Sequence, residues 1–335
     1  MWAYLVRRLL LAVLAIFGVL VVTFFLSHVI PGDPIAAILG PQAPERVIQD
    51  LRQRWGLDRP IYEQFLRYLG RLVRGDLGTS IATHRPVLRD LLDFFPATIE
   101  LATAAILIGV LAGLAVGILS AAAQGSWLDH VTRFLSLIGL SMPVFWLGLI
   151  VLLLFYLWLG VLPGPGQLDI FMSRPPRITG LIVADALLAW DLPALRNALS
   201  HLVLPALVLG SHALAGIARI TRASMLEVLG QEYMKVARAK GLAEQTVILK
   251  HALKNALLPI ITVIGIYYGG LLEGAVLTET VFAWPGLGRY ATSAILSQDF
   301  AAVMGVTVLI ALIFSLANLI VDLAYGFFNP KIRYE

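Results

Sequence analysis

The stretch that decides the fold is residues 97–119, which read ATIELATAAILIGVLAGLAVGIL. Its 23 residues exceed the length of about 20 that a helix needs to cross the apolar core of a bilayer. Within it, Gly109, Gly113 and Gly117 repeat at every fourth position, a spacing that lets two membrane helices approach backbone to backbone. The stretch therefore predicts a transmembrane helix packed closely against a second one.

The composition of the whole chain fits that prediction. Of 335 residues, 59% are hydrophobic and only 14% are charged, and the mean hydropathy is +0.84. An ordinary soluble domain has roughly 25% charged residues, so the chain is neither a pair of soluble domains nor disordered. The absence of cysteine from the sequence excludes disulfide scaffolds, zinc–cysteine sites, iron–sulfur clusters and thiol nucleophiles.

Six stretches are long and apolar enough to predict membrane-spanning helices, so we expect an all-α membrane protein. They are residues 9–30, 97–119, 134–159, 199–218, 256–278 and 301–323. The first is too long for a signal peptide and is interpreted as an uncleaved anchor. Pro143 should kink the third. A weaker stretch, residues 178–190, carries Asp185 and is interpreted as interfacial or re-entrant.

Basic residues predict the orientation of these helices. Residues 219–255 hold seven Lys or Arg against three Glu, as expected of a loop on the cytoplasmic side. With the amino terminus inside, the inner segments carry twelve basic residues and the short outer loops carry four. Both termini are therefore predicted to be cytoplasmic. The basic residues do not form the larger face with exposed aromatics that nucleic-acid binding needs.

Residues 31–96 are predicted to form a small helical segment outside the membrane. Pro44 and Pro60 each precede a stretch whose apolar residues share one helical face, which predicts two amphipathic helices. Two interpretations stay open. The segment is either a lid that rests on the membrane surface or a docking platform for an extracytoplasmic partner.

The sequence predicts no catalytic residue. It lacks a phosphate-binding P-loop, a G-x-S-x-G, an H-E-x-x-H and an S-x-x-K motif, so the chain alone should not hydrolyse nucleotide. Its six histidines are scattered along the chain, and no metal site is predicted.

A carboxylate inside a predicted span is the main candidate for contact with cargo. Thr262, Gly265, Gly269 and Glu273 follow one another at intervals of three, four and four, which places them on one helical face. Two interpretations stay open: Glu273 bonds to a neighbouring helix, or it lines a water-filled cavity and meets cargo.

The loop before the fifth predicted span carries a family resemblance. Residues 232–259 read EYMKVARAKGLAEQTVILKHALKNALLP. This resembles the cytoplasmic loop of binding-protein-dependent ABC importer permeases, whose pattern is E-A-A, three residues, Gly, nine residues, then I-x-L-P. Ala237, Gly241 and Leu253 match the pattern. Several positions depart from it, namely Lys235, Val236, His251 and Lys254.

Further segments are similar to the dipeptide and oligopeptide branch, and most of all to the first permease subunit of dipeptide importers. They are PGDP at 31–34, GDLGTS at 75–80, SMPVFWLG at 141–148, TETVFAWPGLGR at 278–289 and NPKIRY at 329–334. The resemblance implies a six-helix type I ABC importer permease bundle that takes up dipeptides or short oligopeptides by alternating access in the bacterial inner membrane. Relatives with this architecture also import glutathione or nickel, and the alternative from another class is an ion-coupled secondary carrier.

The resemblance also implies the partners and the site. The partners would be a second homologous permease, two ATPase subunits that bind ATP and Mg²⁺, and an extracytoplasmic peptide-binding protein, with no cofactor in this chain. Contact with the ATPases is expected at Ala237, Gly241, Leu242 and Leu253. The mixed apolar and polar residues over about 241–254 predict a short helix that seats in a groove of the partner. Independently of the resemblance, the cargo path is expected to include Glu273 and Thr262, from their shared helical face, and Met142. The expected organisation is a first span over 1–30, the outer segment 31–96, a permease domain over 97–325 that includes the coupling loop 219–255, and a tail over 326–335.

Overall fold

A computed structural model describes residues 2–29, 44–56 and 58–328. Within these ranges the side chains of residues 2–5, 9, 27–29, 51, 54–55, 273–274 and 320–328, Glu273 among them, lie outside the description. Its helices are α1 Trp2–Val29, α2 Glu45–Trp55, α3 Ile61–Val73, α4 Val87–Ala122, α5 Trp127–Ser141, α6 Val144–Val151, α7 Ile182–Leu188, α8 Leu192–Leu229, α9 Glu232–Ala239, α10 Leu253–Gly274, α11 Val276–Val281, α12 Leu287–Leu296 and α13 Phe300–Phe328. A π-helix, Leu152–Trp158, continues α6, and a second, Val247–Ala252, leads into α10 after a short turn of helix at Glu244–Thr246. The all-α membrane fold predicted from the sequence is confirmed.

Within the part of the chain that the structure describes, five helices are long and apolar enough to cross a membrane, or six if a bent pair counts as one span. The five are Val6–Leu26, Val87–Ala122, Leu192–Leu229, Glu244–Leu272 and Phe300–Leu319, and the bent pair is Trp127–Ser141 with Val144–Trp158. Each of the six predicted stretches overlaps one of them. The fifth span begins earlier than predicted because its helix extends back to Glu244 without a break.

Pro143 does more than kink the third span. Helix α5 ends at Ser141, Met142 and Pro143 are extended, and α6 begins at Val144 with Pro143 in its N-cap position. The two helices meet at an angle of 104°. The bend is sharper than predicted because the chain leaves helical geometry at Met142, the residue before proline, where α-helical backbone is disfavoured.

One compact unit consists of residues 1–96 and 286–315. In it, α2 and α3 begin directly after Pro44 and Pro60, as predicted. The apolar face of α3 is covered by the chain itself, because Phe65 and Tyr68 are buried against Leu20 and Phe24 of α1. This contact removes much of the exposed apolar surface that a free amphipathic helix would present.

Two buried carboxylates fix the loop before α4 in this unit. Asp299 accepts hydrogen bonds from the Ser80 hydroxyl at 2.5 Å and from the Ile81 amide at 2.8 Å. Asp90 accepts from the Thr83 hydroxyl at 2.5 Å and from the Tyr290 hydroxyl at 3.1 Å. Both carboxylates are fully buried, so each polar contact satisfies a group that has lost its water.

The second unit, residues 97–285 and 316–335, contains a close helix seam. Along α4, the backbone of Gly109, Gly113 and Gly117 lies against α8. A methyl group built on Gly109 would stand 2.9 Å from Ala213 Cβ, closer than real Cβ atoms come. The close helix contact predicted from the glycine spacing is confirmed.

The other end of α4 in this unit is fixed by Trp284. Its side chain is fully buried, and its indole nitrogen donates a hydrogen bond to the carbonyl oxygen of Ala97 at 2.8 Å. Because Ala97 lies one residue after Pro96 within the helix, its carbonyl oxygen gains a side-chain partner near the point where proline disturbs the helical bonding.

Candidate functional site

The basic loop between α8 and α10 forms a compact helical excursion. Helix α8 ends at Leu229, α9 follows over Glu232–Ala239, and the chain becomes helical again at Glu244. The separate short helix predicted over about 241–254 is wrong, because residues 244–254 are the first turns of the fifth span and the short helix of the loop, α9, lies before Gly241. The loop is shorter than the predicted 219–255, because residues 219–229 belong to α8 and residues 253–255 to α10. Below, the coupling loop means residues 231–252.

Helix α9 has one buried face. Met234 is fully buried and Ala237 nearly so, and both pack into a cluster of apolar residues of the same chain. That cluster, which we call the loop cluster, contains Ala121, Met225, Met234, Ala237, Val247, Ala252, Ala256 and Ile260. Burial of this face holds α9 against the end of α8 and the start of the fifth span.

The other face of α9 and the turn after it expose apolar side chains. Tyr233 is 45% exposed and Val236 is 54% exposed, and Leu242 after the turn is 39% exposed. Exposed apolar residues surrounded by charge are typical of a surface that binds another protein. The charged residues around them, all exposed, are Glu232, Lys235, Arg238 and Lys240.

Gly241 makes the turn that separates α9 from the next helix. Its φ is +77°, a left-handed conformation that side chains other than glycine rarely adopt. The amide of Gly241 donates to the carbonyl oxygen of Arg238 at 2.9 Å, which ends α9. The turn predicted at Gly241 is confirmed.

An ion pair spans the same turn. Arg238 Nη2 donates to Glu244 Oε1 at 2.8 Å and Arg238 Nε to Glu244 Oε2 at 3.1 Å, so the guanidinium holds the carboxylate with two bonds. These bonds raise the pKa of Arg238 above its usual value. Both side chains are exposed, so the pair fixes the geometry of the turn more than it stabilises the fold.

The residues predicted to contact the ATPases therefore face in two directions. Ala237 and the half-buried Leu253 pack against the loop cluster, inside this chain. Leu242 is exposed, and Gly241 determines the path of the backbone between them.

The residues predicted to line the cargo path lie on two elements. Met142 occupies the break between α5 and α6. Thr262 lies in α10, where its hydroxyl donates to the carbonyl oxygen of Leu258 at 3.0 Å. Glu273 is on the same helix, but its side chain lies outside the described residues.

Two buried carboxylates of the second unit were not recognised from the sequence. Glu100 Oε1 accepts a hydrogen bond from the Val183 amide at 2.7 Å, at the start of α7, and Glu279 Oε1 accepts one from the Thr98 hydroxyl at 2.6 Å. The signal for Glu100 was its position inside the apolar stretch 97–119, since charges within spans are rare.

An ion pair near the coupling loop was also missed. Asp129 and Arg222 form a two-bonded pair, with Nε–Oδ1 at 2.7 Å and Nη2–Oδ2 at 2.8 Å. The sequence held a partial signal for it, because Ser126-Trp-Leu-Asp129 before an apolar run is a helix-capping pattern. In the structure the Ser126 hydroxyl accepts from the Asp129 amide at 3.3 Å, as an N-cap side chain does.

The sequence matches two family models. Residues 113–334 match the model for the binding-protein-dependent transport system inner membrane component, and residues 1–102 match the model for the N-terminal part of such membrane components. The chain belongs to this family. As a member, it is a multi-pass inner-membrane permease subunit of an ABC importer.

Named members of the permease family match over nearly the whole chain. The probable D,D-dipeptide transport system permease protein DdpB of Escherichia coli K12 is 49% identical over 331 residues, which cover 99% of this chain and 97% of that protein. The dipeptide transport system permease protein DppB of Alkalihalophilus pseudofirmus is 44% identical, with full coverage of both chains. DppB of Escherichia coli K12 is 41% identical, also with full coverage.

A solved permease structure has the same fold. The structure described as inward-facing conformations of the MetNI methionine ABC transporter matches with a TM-score of 0.54 and 19% identity. The match covers 72% of this chain and 96% of that chain. The helical permease fold is thus shared across a low level of sequence identity.

Proposed function

We propose that this chain is the permease subunit of an ATP-driven importer that takes up dipeptides. The observation that carries the proposal is the end-to-end match, at 41–49% identity, to permeases named for dipeptide or D,D-dipeptide transport. A glutathione transport permease, GsiC of Escherichia coli, is less similar at 38%.

The coupling loop is proposed to face the cytoplasm, together with both termini. This orientation puts the basic segment 219–255 on the side where positive residues concentrate. The partners are a second homologous permease, two ATPase subunits that hold ATP and Mg²⁺, and an extracytoplasmic peptide-binding protein. The chain itself contributes no phosphate-binding loop, so the energy of ATP has to reach it as movement.

The exposed face of the coupling loop is the proposed contact with an ATPase subunit. Tyr233, Val236 and Leu242 supply apolar surface for a groove of the partner. Ala237 and Leu253 contribute from the inside, because they attach this face to the loop cluster. Gly241 sets the angle between α9 and the fifth span.

Movement of the coupling loop would switch the side to which the bundle opens. When ATP draws the ATPase subunits together, α9 moves with them, and the two-state equilibrium of the bundle shifts by the difference in contacts. Met142, Thr262 and Glu273 are proposed to line the cargo path, where the Glu273 carboxylate would attract the terminal ammonium of a dipeptide.

The outer segment 31–96 is proposed to touch the binding protein. Because α3 covers its apolar face with α1, docking would use its exposed face, which includes Tyr62 and Arg67. The permease domain over 97–325 would carry the path and the coupling loop, with 1–30 as the first span and 326–335 as a cytoplasmic tail.

The complex reconstituted in liposomes with its binding protein tests the proposal. We expect an L,L-dipeptide or a D,D-dipeptide to raise ATP hydrolysis and to accumulate inside, while glutathione and Ni²⁺ do neither. Stimulation by glutathione or Ni²⁺ alone would overturn the dipeptide assignment. Uptake driven by an ion gradient without ATP would overturn the importer mechanism and favour a secondary carrier.

The isolated chain should show no ATP hydrolysis in a phosphate-release assay, and activity should require the ATPase subunits. Within the complex, Glu273→Gln should reduce uptake of a dipeptide more than uptake of its N-acetylated form, provided that the binding protein accepts both. Equal reduction for both cargoes would indicate a hydrogen bond to a neighbouring helix instead.

A further inference from the structure

One buried carboxylate joins three helices of the second unit beside the coupling loop. Asp129, in the first turn of α5, is 1% exposed. Besides its two bonds with Arg222 of α8, it accepts a hydrogen bond from the Ser120 hydroxyl of α4 at 2.6 Å. It also accepts one from the Gly125 amide, in the turn between α4 and α5, at 3.1 Å. We call these four residues the Asp129 clamp.

The geometry of the clamp depends on a carboxylate and a guanidinium. Each oxygen of Asp129 receives one nitrogen of Arg222 and one further donor, so both oxygens have two partners. A planar guanidinium fork matches a carboxylate in this two-bonded manner, which a single ammonium or an amide does not. The nearest other cation, Arg133 of α5, lies 3.7 Å from Oδ1 and is half exposed.

The clamp closes one end of the glycine seam between α4 and α8. Gly117 contacts Thr221 and Ala218, and the next residues along the two helices in this direction, Ser120 and Arg222, meet at Asp129. Helix α5 also packs on α8 further along, where a methyl group built on Gly139 would stand 3.3 Å from Ala215 Cβ. Backbone contact and ion pair together leave the three helices little freedom to slide past one another.

The clamp is next to the site where α9 is attached. Met225 lies three residues after Arg222 on α8, is fully buried and belongs to the loop cluster with Met234 of α9. Ala121, which follows Ser120 on α4, belongs to the same cluster. Any displacement of α9 therefore moves the ends of α4 and α8, at the point where both helices bond to Asp129.

We propose that Asp129 is a positioning residue for energy coupling, and this inference rests on the proposed function. Asp129 holds α4, α5 and α8 together as one rigid body. A movement of the coupling loop therefore rotates the spans formed by α4 and α8 and the bent third span as a unit. Without the clamp, the coupling loop still binds the ATPase subunits and ATP is still hydrolysed, but α5 no longer follows α8, and hydrolysis is separated from transport.

The rigid-body part of the inference can be tested without changing the clamp. Because the chain contains no cysteine, spin labels can be attached to cysteines placed at the exposed residues Gln124 and Gln231. Their distance distribution would be measured by pulsed electron paramagnetic resonance, in complexes whose partners carry no reactive cysteine, without nucleotide and with ATP trapped. We expect the same distance in both states. A distance that changes with nucleotide in the otherwise unmodified chain would overturn the inference.

The coupling part is tested by Asp129→Asn, Arg222→Gln and the double variant in the reconstituted complex. We expect Asp129→Asn to lower the dipeptide imported per ATP hydrolysed at least about fivefold, the lower limit of typical coupling between sites, while ATP hydrolysis persists. The double variant should be no worse than the worse single variant, because the pair acts as a unit. Thr132→Val is the matched control, because the Thr132 hydroxyl bonds only to carbonyl oxygens within α5.

The outcomes separate this inference from the proposed function. A wild-type complex that no dipeptide stimulates contradicts the proposed function. If the wild-type complex transports dipeptide and Asp129→Asn has the same ratio of import to ATP hydrolysis, the coupling role of Asp129 is contradicted, while the proposed function stands. If Asp129→Asn fails to assemble, the label distance in the unmodified clamp decides the question.

Discussion

The backbone of Gly117 lies directly against Thr221: a methyl group built on Gly117 would stand 2.6 Å from Thr221 Cβ and 2.7 Å from the carbonyl oxygen of Ala218. Real Cβ atoms do not approach so closely, so α4 and α8 can keep this separation only with glycine at position 117. The seam formed by Gly109, Gly113 and Gly117 is therefore a packing requirement of the fold.

Gly117→Ala should destabilise the protein. Overpacking of a close contact costs about 1–3 kcal/mol, because side chains and backbone must shift to admit the methyl group. Gly270→Ala is the matched control, since Gly270 is also in a long span and has no neighbour within 4 Å. Thermal unfolding of the detergent-solubilised complex measures both variants. Equal melting temperatures for the two variants would contradict the conclusion that the close packing of α4 on α8 requires glycine at position 117.

Trp284→Phe should destabilise the second unit through one lost hydrogen bond. Phenylalanine keeps most of the buried apolar area but leaves the Ala97 carbonyl oxygen without its indole donor. Because this oxygen lies inside α4 and keeps its helical partner, the loss is that of one ordinary hydrogen bond, about 0.5–1.5 kcal/mol. Trp190→Phe serves as the control, because Trp190 is 85% exposed and should tolerate the change. A Trp284→Phe variant as stable as the control would show that this hydrogen bond contributes nothing.

Gly241→Val should disturb the coupling loop. A β-branched residue in the left-handed conformation costs about 1–2 kcal/mol, so the turn would relax and α9 would tilt. We expect the variant to insert in the membrane and to lose dipeptide-stimulated ATP hydrolysis. Gly230→Ala is the control, because Gly230 has a φ of −76° and only ordinary contacts for a methyl group. Normal dipeptide-stimulated ATP hydrolysis in Gly241→Val would show that the turn at Gly241 is not needed for contact with the ATPase subunit.

Asp185→Asn should reduce stability in a manner that depends on pH. Burial raises the pKa of Asp185, but hydrogen bonds from the Thr179 amide and hydroxyl and from the Gly180 amide outweigh it and hold the pKa below its usual value. A lowered pKa stabilises the folded state above the unfolded pKa of about 4, and this contribution is lost as pH falls through the folded pKa.

The measurement compares wild type with Asp185→Asn between pH 7 and pH 3. The difference in melting temperature should be full at pH 7 and should shrink as the pH falls below about 4, the unfolded pKa, and through the lower folded pKa of Asp185. A constant difference across the range would mean that the charge of Asp185 does not contribute.

Much of the fold followed from local sequence. The apolar stretches predicted the spans because length and hydropathy decide whether a helix can cross a bilayer. The glycine spacing on α4 predicted a close contact, and Pro44, Pro60 and Gly241 predicted helix starts and a turn, because each acts on its own backbone. The family pattern in residues 232–259 located the coupling loop for the same reason, since its residues are neighbours in sequence.

Only the tertiary structure decided which residues meet across the chain. The sequence could not show that Thr221 is the neighbour of Gly117, that α3 packs on α1, or that Ala237 faces inward while Val236 faces outward. Asp129 and Arg222 lie 93 residues apart and become partners only when α5 and α8 pack together. Helix formation and membrane insertion depend on interactions within a segment, whereas this ion pair depends on the packing of separate segments, which no single segment encodes.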